Sequence, residues 1–193
     1  MQDPILFALA VLSLLATPGP TNTLLATAGG TVGIRRALPL IGAEAAGYMI
    51  AICTLGLVVG PAVAAAPALG VALRLMVGVW LLVTAWRMWH KGAAMMASRG
   101  TVVTLRQVFV VTLLNPKAII FALAVVPFGT APVLPYLIGF CALTAVVATG
   151  WISAGALLGR APAATGRHTV VPRVGAAVIS VFGLLLVTSP LVG

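Results

Sequence analysis

The feature that most constrains this chain is Pro18-Gly19-Pro20, set inside an apolar run that begins near Pro4 and continues to about Ala28. Proline lacks a backbone donor and its ring clashes with the preceding turn. Two prolines in three residues should therefore break the helix that such a run would form. Hydrocarbon offers no partner for the freed carbonyls and amides, so a break at membrane depth is tolerated only where protein or a water-filled cavity surrounds it. A second break is expected at Leu114-Asn115-Pro116-Lys117, again in the middle of an apolar run. Two proline-interrupted membrane segments in corresponding positions of two halves point to a transporter site.

Composition places these runs in a membrane. Of 193 residues, 62% are hydrophobic and 7% charged, with a mean hydropathy of +1.20. The surface of a soluble domain so poor in charge would be one apolar patch. The net charge of +9 comes from 11 Lys+Arg against only Asp3 and Glu44. The positive residues sit in short segments between apolar runs. There they set topology and meet anionic lipid headgroups, and nucleic acid is not needed to explain them. Asp3, with no Lys or Arg ahead of the first run, is the opposite of a secretory leader, so residues 4–28 are expected to stay as a span. Cys53 and Cys141 fall mid-span with neither CxxC spacing nor a nearby His, and read as small packing residues.

The expected fold is an all-α integral membrane protein with six transmembrane helices, near 4–28, 37–60, 68–89, 107–128, 133–158 and 172–192. Gly29-Gly30 is expected to end the first span and Pro61 the second. Pro67 should open the third, Pro127 to Pro132 turn between the fourth and fifth, and Pro172 open the sixth. Charge alternates between loops. Arg35 and Arg36, then Lys91, Arg99 and Arg106, then Arg160 and Arg167 mark one side, and the remaining loops carry none. Positive loops stay cytoplasmic, which puts both termini outside. Six spans divide into a single transporter domain of two inverted three-helix repeats. Repeat one covers about 1–90, a cytoplasmic linker about 91–106, and repeat two about 107–193, with proline-broken helices 1 and 4 facing each other. Small residues run through spans two and five, among them Gly42, Gly47, Ala51, Ala145, Ala148 and Gly155. They let backbones approach closely, so these two helices should be central. Trp86 and Trp89, beside Arg87 and Lys91, read as interfacial anchors.

Chemistry has few candidates. Glu44 is the one acidic residue expected inside the membrane, where ionisable groups are costly and usually functional. It suits a proton carrier; a permanent ion pair or snorkelling to the inner interface is the plainer role. Lys117 is its basic counterpart, able to attract a carboxylate, pair with Glu44 or hold the break in shape. Asn115 can satisfy backbone freed by the break or contact a ligand. Thr17, Pro18, Gly19, Pro20, Thr21 and Asn22 form the first break. Pro20 fits the first position of a new helix, whose free amides and positive dipole end suit a carboxylate. Tyr48, one turn after Glu44, shares its face or merely fills the core. His90 and His168 are too isolated for a metal site, and no phosphate-binding loop, nucleophile with its base or carboxylate pair is present. The chain therefore does not read as an enzyme, and no cofactor is expected beyond a proton gradient.

These residues together resemble the LysE/RhtB amino-acid exporter family. The resemblance lies in Pro18-Gly19-Pro20, in a glycine-studded second span behind Gly33-Ile34-Arg35-Arg36, and in Asn115-Pro116-Lys117-Ala118 followed by Phe121 and Pro127-Phe128. Leu73 to Arg87 is similar to the family's third span. The resemblance covers essentially the whole chain. It implies a bacterial inner-membrane secondary transporter that exports amino acids or derivatives in exchange for protons, often as a homo-oligomer. Many members carry a polar residue shortly after the second-span glycines, where this chain has Gly47-Tyr48; its carboxylate stands instead at Glu44. The expected partners are a small zwitterionic substrate and membrane lipids. A thiol-redox relay would need cysteines beside the breaks, and a cation exporter would want His, Asp or Glu clusters at membrane depth.

Overall fold

The chain starts its first helix with Asp3, whose Oδ1 accepts from the Ile5 and Leu6 amides at 2.7 and 3.0 Å, with Pro4 at the first helical position. The computed structural model describes residues 3–97, 102–129 and 132–159, and after these the positions 173, 176, 177, 180, 181, 183, 184, 187 and 188. Among the described residues every regular element is helical. In chain order these are α1 (Pro4–Ala16), α2 (Pro20–Val32), α3 (Ile34–Ala37), α4 (Pro39–Thr54), a π-helical turn at Leu55–Val59, α5 (Gly60–Ala65), α6 (Pro67–Ala97), α7 (Leu105–Leu113), α8 (Lys117–Ile120), a second π-helical turn at Phe121–Val125, and α9 (Val133–Gly159).

Three stretches are long and apolar enough to cross a membrane: Ile34–Val63, Ala68–Arg87 and Val133–Leu158. Two more spans result if each bent pair is one, α1 with α2 (65°) and α7 with the helix from Lys117 to Val125 (52°). The expected sixth span lies outside the described residues except for those nine scattered positions, which are helical. Glycine 183 and Val187 in that stretch press against Gly78 of α6. Arg160 and Arg167 also lie outside the described residues.

Several expected boundaries move. Gly29 and Gly30 do not end the first span. The helix runs to Val32 and stops at Gly33, whose φ of 79° is a left-handed conformation that a side chain would resist. Pro61 does not end the second span either. The π-helical turn just before it bonds the Gly60 amide back to the Leu55 carbonyl, five residues away. That widened turn changes the local ladder where Pro61 brings no donor, and the helix continues to Ala65. The 91–106 linker is shorter than expected, because α6 runs on to Ala97 and Thr104 caps α7 in a capping box with Gln107.

Packing centres on α4 and α9. Helix α2 lies along α9 and α4 lies along α7, while α1 and α4 also touch α9. Glycine makes these approaches possible. A Cβ at Gly29 would collide with the Ile152 carbonyl oxygen, and one at Gly155 with the Ala26 carbonyl oxygen, so α2 and α9 meet backbone to backbone. At Gly47 an added Cβ would stand 2.9 Å from the Phe109 oxygen and 3.0 Å from Thr112 Cβ. The outward faces carry Ile5, Leu57, Trp86, Trp89, Leu134 and Val146, all half or more exposed. Large apolar side chains so placed suit a lipid environment.

Candidate functional site

Both breaks turn inward on the same region, where most of the buried polar groups can be followed to a partner. At the first break, α1 stops at Ala16 and α2 begins at Pro20, so the last α1 carbonyls lose their helical amides. Asn22 Nδ2 donates to the Leu15 and Thr17 carbonyl oxygens at 2.8 and 2.9 Å. Lys117 Nζ, from the second break, donates to the Thr17 carbonyl at 2.6 Å. An ammonium at the C-terminus of α1 also meets the negative end of that helix dipole. Thr17 turns its own hydroxyl back to the Ser13 carbonyl at 2.8 Å.

At the second break, Asn115 serves its own backbone. Its Oδ1 accepts the Lys117 amide at 3.1 Å, which fixes the orientation of its side-chain amide. Its Nδ2 then donates to Thr21 Oγ1 at 3.2 Å and to the Tyr48 hydroxyl at 3.1 Å. Thr21 Oγ1 also lies 3.2 Å from Thr112 Oγ1. The Tyr48 ring is held edge-on against Phe121 and Phe140, with centroids 5.7 and 5.6 Å away.

These contacts set a register across four helices. Tyr48 on α4 meets Phe140 on α9 in one apolar cluster. Two turns back along α4 and two turns on along α9, Leu40 and Ala148 join a second cluster with Leu25 of α2 and Val108 of α7. Between the two clusters, one helical turn from each of these four residues, stand Thr21, Glu44, Thr112 and Thr144. All four are buried, at 1%, 2%, 0% and 0% exposure. The protein core thus contains one polar layer with an apolar layer on each side.

In that layer Thr21 and Thr112 pair with each other, but Glu44 Oε2 and Thr144 Oγ1 have no hydrogen-bond partner. They are the two such buried side-chain atoms among the described residues. Lys117 is within electrostatic reach of Glu44, yet its ammonium is engaged at the Thr17 carbonyl. The plainer alternatives for Glu44 are not seen: it makes no ion pair with Lys117, and at 2% exposure it does not snorkel.

The first break also presents the start of α2. No side chain caps Gly19, and Pro20 has no amide to offer. Lys117 Nζ stands 3.4 Å from the position a Gly19 Cβ would take, so ammonium and helix start converge on Gly19. Beyond the second break a cavity of about 580 Å³ opens between α4, α6 and the break, its wall including Ala51, Thr54, Met76, Trp80, Asn115 and Pro116.

The sequence-selected residues Thr21, Glu44, Tyr48, Asn115 and Lys117 are thus brought together with Thr17, Gly19 and Asn22. Pro18, Pro20 and Pro116 shape the breaks through their rings, and the Pro116 carbonyl accepts the Ile119 amide at 3.1 Å. Thr112 and Thr144 were not singled out. Thr112 lies one turn before Asn115, whose amide bonds back to its carbonyl, and that spacing is a usable signal; Thr144, a lone hydroxyl among small residues, gives none. Among the described residues no group of three or more His, Cys, Asp or Glu could hold a metal ion. Comparison with protein-family models, curated proteins and solved structures gives no match.

Proposed function

We propose that this chain is a secondary transporter of the LysE/RhtB type that exports an amino acid or similar small zwitterion across a bacterial inner membrane, coupled to protons through Glu44. The observation that carries the reading is Glu44 itself. A carboxylate oxygen buried at membrane depth and left without a partner is costly, and a carrier of protons or amines makes use of that vacancy in bonding. The substrate carboxylate meets the start of α2 at Gly19, beside the Lys117 ammonium and Asn115. Glu44 takes the proton.

The architecture proposed with this function is six spans in two inverted repeats, the sixth within 172–192 and both termini outside. The polar layer supports it: Thr21 and Thr112 come from the broken helices of the two halves, and Glu44 and Thr144 from the helices that follow them. Substrate binding biases one of two packings of the halves and so alternates access.

The test is efflux of amino acids from preloaded proteoliposomes, with and without an imposed pH gradient. Wild type should respond to the gradient. Glu44→Gln should lose that response by at least about tenfold, equivalent to roughly 1.4 kcal/mol, while gradient-independent exchange of amino acid persists. Failure of wild type to move any amino acid would refute the substrate class.

A further inference from the structure

The two unpaired buried oxygens share a layer, and its chemistry is specific. We propose that the layer of Thr21, Glu44, Thr112 and Thr144 is a binding site for a sodium ion, with Glu44 Oε2 and Thr144 Oγ1 as the ligands that hold it. Every donor in the layer is a hard oxygen: one carboxylate and three hydroxyls. One carboxylate, with the Lys117 ammonium already within its reach, can balance at most one added positive charge in a low-dielectric interior, which disfavours a divalent ion. With no His or Cys in the layer, softer metals have no ligands. The layer is too closed for an amino acid. It lies between the Tyr48–Phe140 cluster and the Leu25–Leu40–Val108–Ala148 cluster, and its members are 0–2% exposed.

Neither Lys117 nor Tyr48 fills the site. Lys117 donates its ammonium to the Thr17 carbonyl, and the Tyr48 hydroxyl accepts from Asn115. Helix α2 brings no ionisable residue, and on α7 the ionisable side chain is the exposed Arg106. Packing brings the layer together rather than local chain chemistry. Gly47 admits Thr112 against α4, and Gly29 and Gly155 draw α2 against α9. A sodium ion and a proton then compete for one carboxylate, so the ion is a second coupling species and not a replacement for the first. Occupancy of the layer can be read without a transport substrate.

Binding of radioactive ²²Na⁺ to the purified full chain in detergent, at fixed pH and with choline balancing ionic strength, reads the site directly. Thermal unfolding in the same series reads it through linkage, since an ion that binds the folded state raises the midpoint. Wild type should show saturable sodium binding and a sodium-dependent rise in midpoint. Thr144→Val, which keeps shape and removes one oxygen, should weaken sodium affinity about 10- to 100-fold. Thr144→Ser should restore it, and Glu44→Gln should abolish it. Absence of saturable sodium binding in wild type, as when Oε2 is simply protonated and donates to Thr144, overturns the proposal. So does sodium binding that survives both Thr144→Val and Glu44→Gln. Amino-acid efflux measured on the same preparation keeps the two readings apart: sodium binding without efflux would sink the exporter and leave the ion site standing.

Discussion

At the first break, the carbonyls of Leu15 and Thr17 are met by Asn22 from the next helix and by Lys117 from the other half of the chain. At the second, Asn115 Oδ1 accepts the Lys117 amide from within the break, and its Nδ2 donates to Thr21 and Tyr48. One break is held from outside and keeps an uncapped helix start; the other closes on itself and reaches out. The difference assigns Lys117 a place that its position in the chain hides. It lies in the second break but completes the first. A membrane interior forces this kind of exchange, because each orphan carbonyl must find a donor within the protein.

The largest effect should come from removing the donor that crosses between halves. Lys117→Met deletes a charge-assisted bond to a partly buried carbonyl and should cost about 1.5–3 kcal/mol, read as a fall in the thermal midpoint in detergent. If the midpoint is unchanged, the first break does not depend on the second. A somewhat smaller loss is expected for Asn115→Leu, about 1–3 kcal/mol, because the break loses its internal acceptor and Thr21 and Tyr48 lose their common donor. A double variant with Tyr48→Phe should be less than additive, since the two residues share one hydrogen bond. The smallest effect sharpens the comparison most. Thr17→Val should change stability by less than about 0.5 kcal/mol, because Lys117 and Asn22 bind the Thr17 carbonyl and its hydroxyl only turns back on Ser13. A large loss there would mean the side chain, not the backbone, closes the break.

Much of the site was legible along the chain because its members are conspicuous. Prolines inside apolar runs, a single buried acid and a lysine beside a proline are improbable in hydrocarbon unless something uses them. Boundaries were less legible. Pro61 reads as a stop, yet the π-helical turn at Leu55–Val59 precedes it and the helix goes on. Gly29 reads as punctuation, yet it is the contact surface for Ile152. The same residue type serves as a terminator or as a gap for a neighbour, and local sequence does not distinguish the two.

Local chemistry alone determined that the chain breaks at Pro18 to Pro20 and near Pro116, that its helices are long and apolar enough to cross a membrane, and that Glu44 is a rare charge among them. Those conclusions follow from backbone donors, transfer free energies and charge, which need no neighbour. Tertiary structure decided which partners the broken ends take, and that Thr21, Glu44, Thr112 and Thr144 share one level. That level depends on the register between helices far apart in sequence, set by where glycines let backbones touch. A threonine carries no mark of the layer it will join until the helices around it are packed.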